Sequence, residues 1–404
     1  MTLKKAESIL LFLCLLLLPT QLGKHFFLDF SYIYSLQIDY LAPTIYFWDL
    51  LLLVLILVWV LQKPKINKLA FNLFLFFLLT QAISLIGALN LGAGIFKLEQ
   101  LILTGLLGVY IAGQNFNYLK KQIVSAFSIT LLFEGGLAFW QVVFKKTLGF
   151  WILGERSFNI STPSIAKFDF FGQIFLRPYG TFPHPNLLAA FLLIGVILIY
   201  CLRDKNQKIL TLSIWLGSLA IFLTFSRAVI LVFVIWLFLI FRKKIKLLWP
   251  VFLIIPFLAV RFLTVLNYDN LSIIRREELA ILAVGDFLSA PLKGLGLNSF
   301  INQTAISHLV SGESRFLQPV HNIFLLTLAE TGILGLSGIL GLLGIPIVNL
   351  WKKKNLIESK ILLGVWIIIF FLGMLDHYFL TLAQGLRLFF LIWGLSLSRM
   401  KDSD

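Results

Sequence analysis

The amino-acid sequence predicts an all-α, polytopic transmembrane protein of about twelve spans. Of the 404 residues, 59% are hydrophobic and 13% are charged, whereas a soluble domain carries about 25% charged residues. The mean hydropathy is +0.94, and long apolar runs alternate with short basic clusters, a pattern typical of membrane-crossing helices joined by loops. We therefore expect residues 1–404 to form a single integral membrane domain.

The apolar runs predict the twelve spans, since each comes near the roughly 20 residues that a helix needs to cross a bilayer. They lie at approximately 8–23, 44–62, 69–90, 95–113, 122–144, 186–202, 209–225, 227–241, 247–266, 321–349, 361–379 and 382–398. The fourth contains Lys97 and Glu99, and the short seventh and eighth meet at Ser226–Arg227. Spans one to five form the N-terminal part, residues 1–150, and the last two lie in the C-terminal part, residues 346–404.

Basic residues cluster at every second loop and at both ends of the chain. The clusters are Lys4/Lys5, Lys63/Lys65/Lys68, Lys120/Lys121, Arg203/Lys205/Lys208, Arg242/Lys243/Lys244/Lys246, Lys352/Lys353/Lys354/Lys360 and Arg399/Lys401. By the positive-inside rule this face is cytoplasmic, with both termini inside. The net charge of +15 is therefore mainly an orientation signal and an attraction to anionic lipid. Binding to nucleic acid is not expected, because the clusters are scattered over short loops.

The outer face holds eight of the eleven arginines and all five histidines. The arginines are Arg156, Arg177, Arg227, Arg261, Arg275, Arg276, Arg315 and Arg387. A guanidinium group binds phosphate through two parallel hydrogen bonds and stays charged in a dry site, so this use of arginine suggests recognition of an anion. For Arg156, Arg261 and Arg387, which belong to no recognisable motif, the sequence favours pairing with acids or lipid headgroups.

Two external loops are longer than the rest, at about 145–185 and 267–320. Loops of this length are usually either functional or disordered. The second has helical periodicity over 273–288, followed by a glycine-rich turn at 293–298, so we expect it to be ordered.

Two motifs put an arginine beside a helix end on the outer face. The first, Arg177-Pro-Tyr-Gly-Thr-Phe-Pro-His-Pro-Asn186, leads directly into span six. Its glycine and prolines form a rigid approach and Asn186 is a candidate N-cap, which would hold Arg177 and His184 at the surface; a plain structural turn is the alternative. The second motif, Leu223-Thr-Phe-Ser-Arg-Ala228, puts Arg227 in continuous apolar sequence, where a charge is unfavourable unless it is paired or faces a polar cavity.

A third motif, residues 320–336, opens span ten with His321 and Asn322 and continues to Glu330, about 13 Å deeper along a helix. Gly332 and Gly335 would permit close contact between helices. A histidine at a helix start is often only a cap, but His321 closes the longest external loop, which favours a functional role. Glu330 could orient His321 or fix helix packing.

Two further acids have no clear role in the sequence. Glu134 lies in the middle of span five, and an acid inside a membrane is a functional candidate by default. It could equally be satisfied by a neighbouring helix. Asp376 and His377 lie at the outer end of span eleven and could line the same cavity as the motifs.

In order and spacing, these motifs resemble those of the O-antigen ligase and polymerase superfamily. The resemblance rests on Arg177…Gly180-Thr-Phe182…Asn186, on Ser226-Arg227 and on His321-Asn322…Glu330-Thr-Gly-Ile-Leu-Gly335. It covers residues 170–345 well, including the external loop 267–320, whose Arg275/Arg276 pair is similar to that of the family. Asp376-His377-Tyr378 fits more loosely, and the first 150 residues match only as a run of spans.

The resemblance implies a GT-C-like glycosyltransferase in the cytoplasmic (inner) membrane, with its active site on the outer face. Such enzymes move an oligo- or polysaccharide from an undecaprenyl diphosphate carrier to a glycan, lipid or protein acceptor, generally without nucleotide sugar, cofactor or metal. By resemblance, Arg177 and Arg227 hold the diphosphate and His321 orients or deprotonates the acceptor hydroxyl. The remaining candidates for substrate binding are Arg275, Arg276, Arg315, Asn322, Glu330, His184 and Asn186. One base without a nucleophile suits direct displacement with inversion at the sugar.

The sequence leaves open whether the reaction is ligation or polymerisation, and which sugar, linkage and acceptor it uses. A rival from another class is a transporter or flippase of a lipid-linked or anionic envelope precursor. Transporters usually have internal symmetry and polar residues near mid-membrane in both halves, whereas the polar residues here concentrate at one face and in the second half. A peptidoglycan polymerase of the shape-and-division type would be expected to carry an external signature centred on an acid.

Overall fold

The computed structural model describes residues 2–170, 172–203, 207–243, 271–307 and 316–400. Within these ranges the chain forms fourteen α-helices and three two-stranded antiparallel sheets. The helices are α1 (Leu3–Leu16), α2 (Phe47–Leu61), α3 (Lys68–Ile83), α4 (Leu91–Ala112), α5 (Phe116–Phe144), α6 (Pro185–Leu202), α7 (Lys208–Leu223), α8 (Arg227–Phe241), α9 (Leu271–Ser289), α10 (Phe300–Ser307), α11 (Ile323–Lys352), α12 (Ile357–Leu375), α13 (Tyr378–Thr381) and α14 (Ala383–Leu397).

The sheets are short hairpins in the loops between helices. Strand β1 (Gly23–His25) pairs with β4 (Thr44–Tyr46), β2 (Tyr32–Ile33) with β3 (Leu36–Gln37), and β5 (Lys167–Phe170) with β6 (Gln173–Leu176). The third hairpin lies in the long loop between α5 and α6 and ends immediately before Arg177.

Five of the described helices are long and apolar enough to cross a membrane, namely α4, α5, α6, α11 and α12. Helices α2, α3, α7, α8 and α14 are apolar but shorter. The prediction of a helical membrane protein is therefore confirmed, while the number of twelve spans stays a prediction. The predicted ninth span, 247–266, lies outside the described residues.

Helix α6 is the centre of the bundle. Every residue from Leu187 to Ile199 is buried, and the helix packs against α5, α7, α8, α12 and α14. An apolar surface on all sides of a helix is the mark of a helix enclosed by others. The first turn of α6, which carries Asn186, is therefore held in place by neighbours on every side.

Helices α7 and α8 meet in a tight turn. Phe225 has a φ of +52°, a left-handed conformation that is unfavourable for a bulky side chain and is usually stabilised by its surroundings. The Phe225 ring packs on the Phe168 ring of β5, with centroids 3.6 Å apart. The turn makes Arg227 the first residue of α8.

Helix α11 is interrupted at Gly332, which has φ 61° and ψ −164°. The glycine-rich turn after α9 inserts at this break. Leu295 N–H donates to the Ala329 carbonyl (3.0 Å), and Ile333 N–H donates to the Pro291 carbonyl (2.9 Å). The close contact at Gly332 was predicted to be between helices; in the structure it is made with the backbone of the loop between α9 and α10. Gly335 instead faces α3, where Gln81 Nε2 donates to its carbonyl (3.2 Å).

We predict that Gly332→Ala destabilises the protein strongly. Its positive φ disfavours any side chain, and a Cβ there would collide with the carbonyl of Leu292. The matched control is Gly364→Ala in α12, where a Cβ meets no atom within 4 Å. Thermal unfolding in detergent should show a clearly lower Tm for Gly332→Ala and an unchanged or slightly raised Tm for Gly364→Ala. Equal Tm values for the two variants would contradict this account of the helix break.

A second prediction concerns Asp286, a buried acid of α9. Burial raises the pKa of Asp286 to about 6, although a hydrogen bond from Gln303 acts in the opposite direction. Between the ordinary aspartate pKa and pH 6, the folded state binds more protons than the unfolded state, so this carboxyl makes stability fall as pH rises. We expect Asp286→Asn to raise the Tm at pH 8 and to lose that advantage near pH 4.5; a constant difference across this range would argue against it.

Candidate functional site

A cavity of about 260 Å³ lies where α6 and α8 begin and α12 ends. Its polar lining is Arg177, Asn186, Ser226, Arg227, Ser272, Arg276 and Asp376. Its apolar lining includes Ala228, Val229, Leu372 and Leu375. Three guanidinium groups against one carboxylate give the cavity a net positive charge, which suits an anionic ligand.

Arg177 is fixed by two hydrogen bonds. Its Nε donates to the carbonyl of Thr224 (2.8 Å), at the end of α7, and its Nη2 donates to Oδ1 of Asn186 (2.7 Å). A guanidinium held in this way loses little further freedom when it binds a ligand. The second bond also fixes the Asn186 amide at the start of α6.

Asn186 continues the chain of hydrogen bonds to Asp376. Its Nδ2 donates to Oδ2 of Asp376 (2.9 Å), while the other carboxylate oxygen accepts the N–H of His377 (2.8 Å). Asp376 lies at the end of α12. The Asn186 amide therefore joins Arg177 to a buried carboxylate on a different helix.

His321 lies next to this carboxylate. One ring nitrogen of His321, one of His377 and one oxygen of Asp376 are all within 4.8 Å of one another. The His321 and His377 rings meet edge to face, with centroids 5.1 Å apart. Nδ1 of His377 is bonded to Oγ1 of Thr381 (2.6 Å), whereas the buried Nδ1 of His321 has no hydrogen-bond partner among the described residues.

The histidines at these helix ends are neutral at neutral pH. Burial lowers the pKa of His321 to about 3; Asp376 opposes this change, and His377 and Arg276 add to it. Burial and the neighbouring Arg177 similarly lower the pKa of His184 to about 3. Burial also lowers the pKa of His377. A neutral imidazole can accept a proton, which is the state that a general base requires.

Asp376 is the ionised group of this cluster. Burial alone raises its pKa, but His377, His321, His184 and Arg276 together hold it at about 2. Two nitrogens and a carboxylate oxygen at this spacing are also a ligand set that could hold a transition-metal ion. His321, Asp376 and His377 would be its ligands.

The two adjacent arginines of α9 differ in position. Arg276 lines the cavity, and its Nη1 donates to the carbonyl of Leu375 (3.4 Å). The Arg275 guanidinium instead lies over the ring of Phe316, 4.5 Å from its centroid. Of this predicted pair, the structure brings Arg276 to the cavity, while the Arg275 guanidinium is stacked on Phe316.

Three of the other predicted residues accept hydrogen bonds from backbone N–H groups. The ring of His184 is the N-cap of α6 and accepts the N–H of Asn186 (3.1 Å). Oδ1 of Asn322 caps α11 by accepting the N–H groups of Phe324 (2.8 Å) and Leu325 (3.1 Å). Glu330 accepts the N–H groups of Asn298 (3.0 Å) and Phe300 (3.2 Å). Arg315 lies outside the described residues. Roles in substrate binding for these residues stay predictions.

Glu134 supports the first motif from inside the bundle. Its carboxylate accepts the backbone N–H (2.9 Å) and the hydroxyl (2.6 Å) of Thr181. Two turns further along the same helix, Oε1 of Gln141 accepts the N–H groups of Tyr179 (2.8 Å) and Gly180 (2.9 Å). These bonds satisfy backbone groups that would otherwise be buried without partners. Of the two open readings of Glu134, the contacts favour an acid satisfied by its neighbours.

Neither Arg156 nor Arg387 lines the 260 Å³ cavity. Arg156 donates to the carbonyl of Pro183 (2.9 Å) and stacks on Tyr179. Arg387 lies 3.6 Å from the carboxylate of Asp49. The sequence favoured pairing with acids or lipid headgroups for both. Arg387 has such an acidic partner, whereas the contacts of Arg156 are with a carbonyl and an aromatic ring. Arg261 lies outside the described residues.

A comparison with known proteins points to one family. Residues 212–340 match the O-antigen ligase family model, Wzy_C. No curated protein matches the chain. The matched region contains Arg227, Arg276 and His321, whereas Arg177, Asn186 and Asp376 reach the same site from outside it. The match confirms the resemblance based on the motifs: residues 212–340 of this membrane protein are similar to the O-antigen ligase family.

Proposed function

We propose that the protein transfers a glycan from an undecaprenyl diphosphate carrier to an acceptor hydroxyl, at the outer face of the cytoplasmic membrane. The observation that carries the proposal is the convergence of Arg177, Arg227 and Arg276 on one cavity beside His321 and Asp376. The diphosphate is the part of such a donor that needs cationic partners. Arg177, Arg227 and Arg276 line this cavity together although they are far apart in the sequence.

The donor lies with its diphosphate against the three arginines. Each guanidinium offers paired N–H donors that match phosphate oxygens. Ala228, Val229, Leu372 and Leu375 provide an apolar wall on the same cavity. This wall suits the first isoprene units of the carrier, so that the lipid leaves the cavity toward the bilayer.

Transfer then proceeds by a single displacement. The acceptor oxygen attacks the anomeric carbon, the bond from that carbon to the diphosphate oxygen breaks, and the electron pair leaves with the diphosphate. The arginines stabilise the developing negative charge, and His321 takes the proton of the acceptor hydroxyl. One displacement inverts the configuration at the sugar. Asp376 stabilises the imidazolium that forms, in the same way as a carboxylate beside a catalytic histidine.

Asn186 couples the two halves of this site. It is hydrogen-bonded to Arg177 on one side and to Asp376 on the other. The low pKa of His321 is set mainly by burial, and the positive charge of Arg276 adds to it. A bound diphosphate offsets the field of Arg276, so His321 becomes a stronger base when the donor is present.

The main test is transfer by the purified protein. We expect product from a lipid-diphosphate-linked glycan and an acceptor with EDTA present and no nucleotide sugar added. His321→Ala should lower kcat by about 10²- to 10⁴-fold, the range that general bases contribute, while donor binding is retained. Full activity in His321→Ala, or activity restored only by added metal, would refute the mechanism. Movement of a labelled lipid diphosphate across liposomes without transfer would favour the transporter or flippase alternative.

The neighbouring arginines of α9 provide a matched pair for the donor site. Arg276→Lys keeps the charge but loses the planar set of donors, so we expect kcat/KM to fall roughly 10- to 100-fold, as for the loss of one charged hydrogen bond. Arg275→Lys, next to it on the same helix, should stay within about threefold of the native value because Arg275 stacks on Phe316. A larger loss for Arg275→Lys than for Arg276→Lys would show that the donor lies elsewhere.

Mass spectrometry of envelope glycans from cells that lack this protein distinguishes a polymerase from a ligase. Loss of a polymerase shortens the glycan. Loss of a ligase leaves full-length glycan on its carrier.

A further inference from the structure

The apolar loop, residues 148–153 between α5 and β5, displays large apolar side chains on the surface of the protein. It includes one turn of 3₁₀-helix, Trp151–Leu153. Apart from Gly149, each of its residues is large, apolar and between 39% and 66% exposed: Leu148, Phe150, Trp151, Ile152 and Leu153. A run of exposed apolar side chains of this size usually marks an interaction surface. Nothing in the proposed transfer reaction uses these residues.

The backbone of the apolar loop is satisfied from within the protein. The buried carboxylate of Glu155 accepts three of its N–H groups, from Leu148 (3.0 Å), Gly149 (2.7 Å) and Phe150 (2.8 Å). Trp151 N–H donates to the Gly149 carbonyl (2.8 Å), and Leu153 N–H donates to the Phe150 carbonyl (2.9 Å). Irregular backbone can enter an apolar medium only when its polar groups have partners inside the protein. The loop therefore meets the main requirement for contact with lipid.

The apolar loop lies beside α5 rather than beyond its end. The Phe150 ring packs on the Phe133 ring, with centroids 6.3 Å apart. Phe133 precedes Phe144, the last residue of α5, by about 16 Å along the helix axis. Helix α5 is long and apolar enough to cross a membrane, and its Phe139 and Val143 are about half exposed. The loop thus extends the apolar surface that α5 presents to the bilayer.

The apolar loop is also bonded to the segment that follows Arg177. Nε2 of Gln141 donates both to Oε1 of Glu155 (2.9 Å) and to the carbonyl of Gly180 (3.2 Å). All three groups are in the buried part of the protein. One glutamine on α5 therefore holds the base of the apolar loop and the backbone after Arg177 at a fixed distance from each other.

The residues around the apolar loop favour lipid over a protein partner. Lys145 and Lys146 precede it and are exposed, and lysine side chains at the edge of an apolar surface extend to lipid headgroups. Trp151 is the most exposed side chain of the loop, and tryptophan is enriched at the boundary between membrane and water. A cationic edge, a tryptophan and an adjoining transmembrane helix together match a bilayer interface.

We propose that residues 148–153 insert into the bilayer interface beside α5 and so hold the Arg177 segment at the depth of the lipid headgroups. The consequence for catalysis rests on the proposed function, since the diphosphate of a lipid-linked donor lies at that depth. The insertion itself does not depend on the reaction. Leu148, Phe150 and Ile152 contact acyl chains, and the lysines contact phosphate groups.

The first test measures lipid contact and needs no transfer activity. In the full-length protein with Cys14→Ala and Cys201→Ala, the Ile152→Cys variant is labelled with an environment-sensitive fluorophore and reconstituted in vesicles. Lipids that carry a nitroxide near the headgroup end of the acyl chain should quench the emission, and aqueous iodide should not. The matched control is Ser161→Cys, an exposed position in a polar turn of the same long loop, where iodide should quench and the nitroxide lipids should not.

The second test concerns the Arg177 segment. Trp151→Ser weakens the insertion, so we expect the KM for a lipid-linked donor to rise about two- to tenfold with kcat unchanged. The matched control is Trp215→Ser on α7, which removes an equally exposed tryptophan, 70% exposed, from outside the loop and should leave KM unchanged. The Tm of both variants in detergent verifies that they fold.

The outcomes separate the insertion from its consequence. Quenching of the Ile152→Cys label by iodide would place the loop in water and overturn the proposal. Protection from both quenchers would indicate a protein contact, such as a second copy of the chain, and would also overturn it. An unchanged KM in Trp151→Ser, or an equal rise in Trp215→Ser, would show that the loop does not position the donor site. Lipid quenching in a protein that transfers no glycan would support the insertion and refute the proposed function.

Discussion

The chain of hydrogen bonds from Arg177 through Asn186 to Asp376 is the interaction on which the site depends. It joins an external hairpin, the first turn of the buried helix α6 and the end of α12. Charged groups at the end of an apolar helix are unfavourable unless they are paired. Here each group satisfies the next, so the cation and the carboxylate are held at a fixed separation. The three arginines can therefore line one cavity together with Asp376, and His321 lies next to that carboxylate.

Two buried acids, Glu134 and Glu330, stabilise the loops rather than the cavity itself. Glu134 accepts the backbone N–H and the hydroxyl of Thr181. Glu330 accepts the backbone N–H groups of Asn298 and Phe300, at the end of the loop between α9 and α10. Irregular backbone at membrane depth is tolerated only where its polar groups find partners inside the protein. These carboxylates supply such partners, and so they hold the two long external loops close to the helix ends where the arginines lie.

The positions of the helices follow closely from hydropathy. The predicted span 227–241 coincides with α8, and the predicted start of span six at 186 differs by one residue from that of α6, because long apolar runs and an adjacent N-cap leave little choice. The site was harder to predict. Arg177, Arg227 and His321 stand in local motifs, but Arg275 and Arg276 are indistinguishable until α9 is packed and one of them meets Phe316. The sequence around Asp376 matched the family motifs only loosely. Its place in the site depends on a hydrogen bond from Asn186, which is 190 positions away in the sequence.

The pairing of Asp49 with Arg387 has a consequence for biosynthesis. Asp49 opens the second helix, whereas its cationic partner lies in the last one. During synthesis from the N-terminus, the carboxylate therefore enters the membrane long before the guanidinium exists. Until α14 is inserted, the nascent protein carries an unneutralised acid at the start of α2. The final helix thus completes the charge balance of the first part of the chain, and a product truncated before it would expose this acid to membrane quality control.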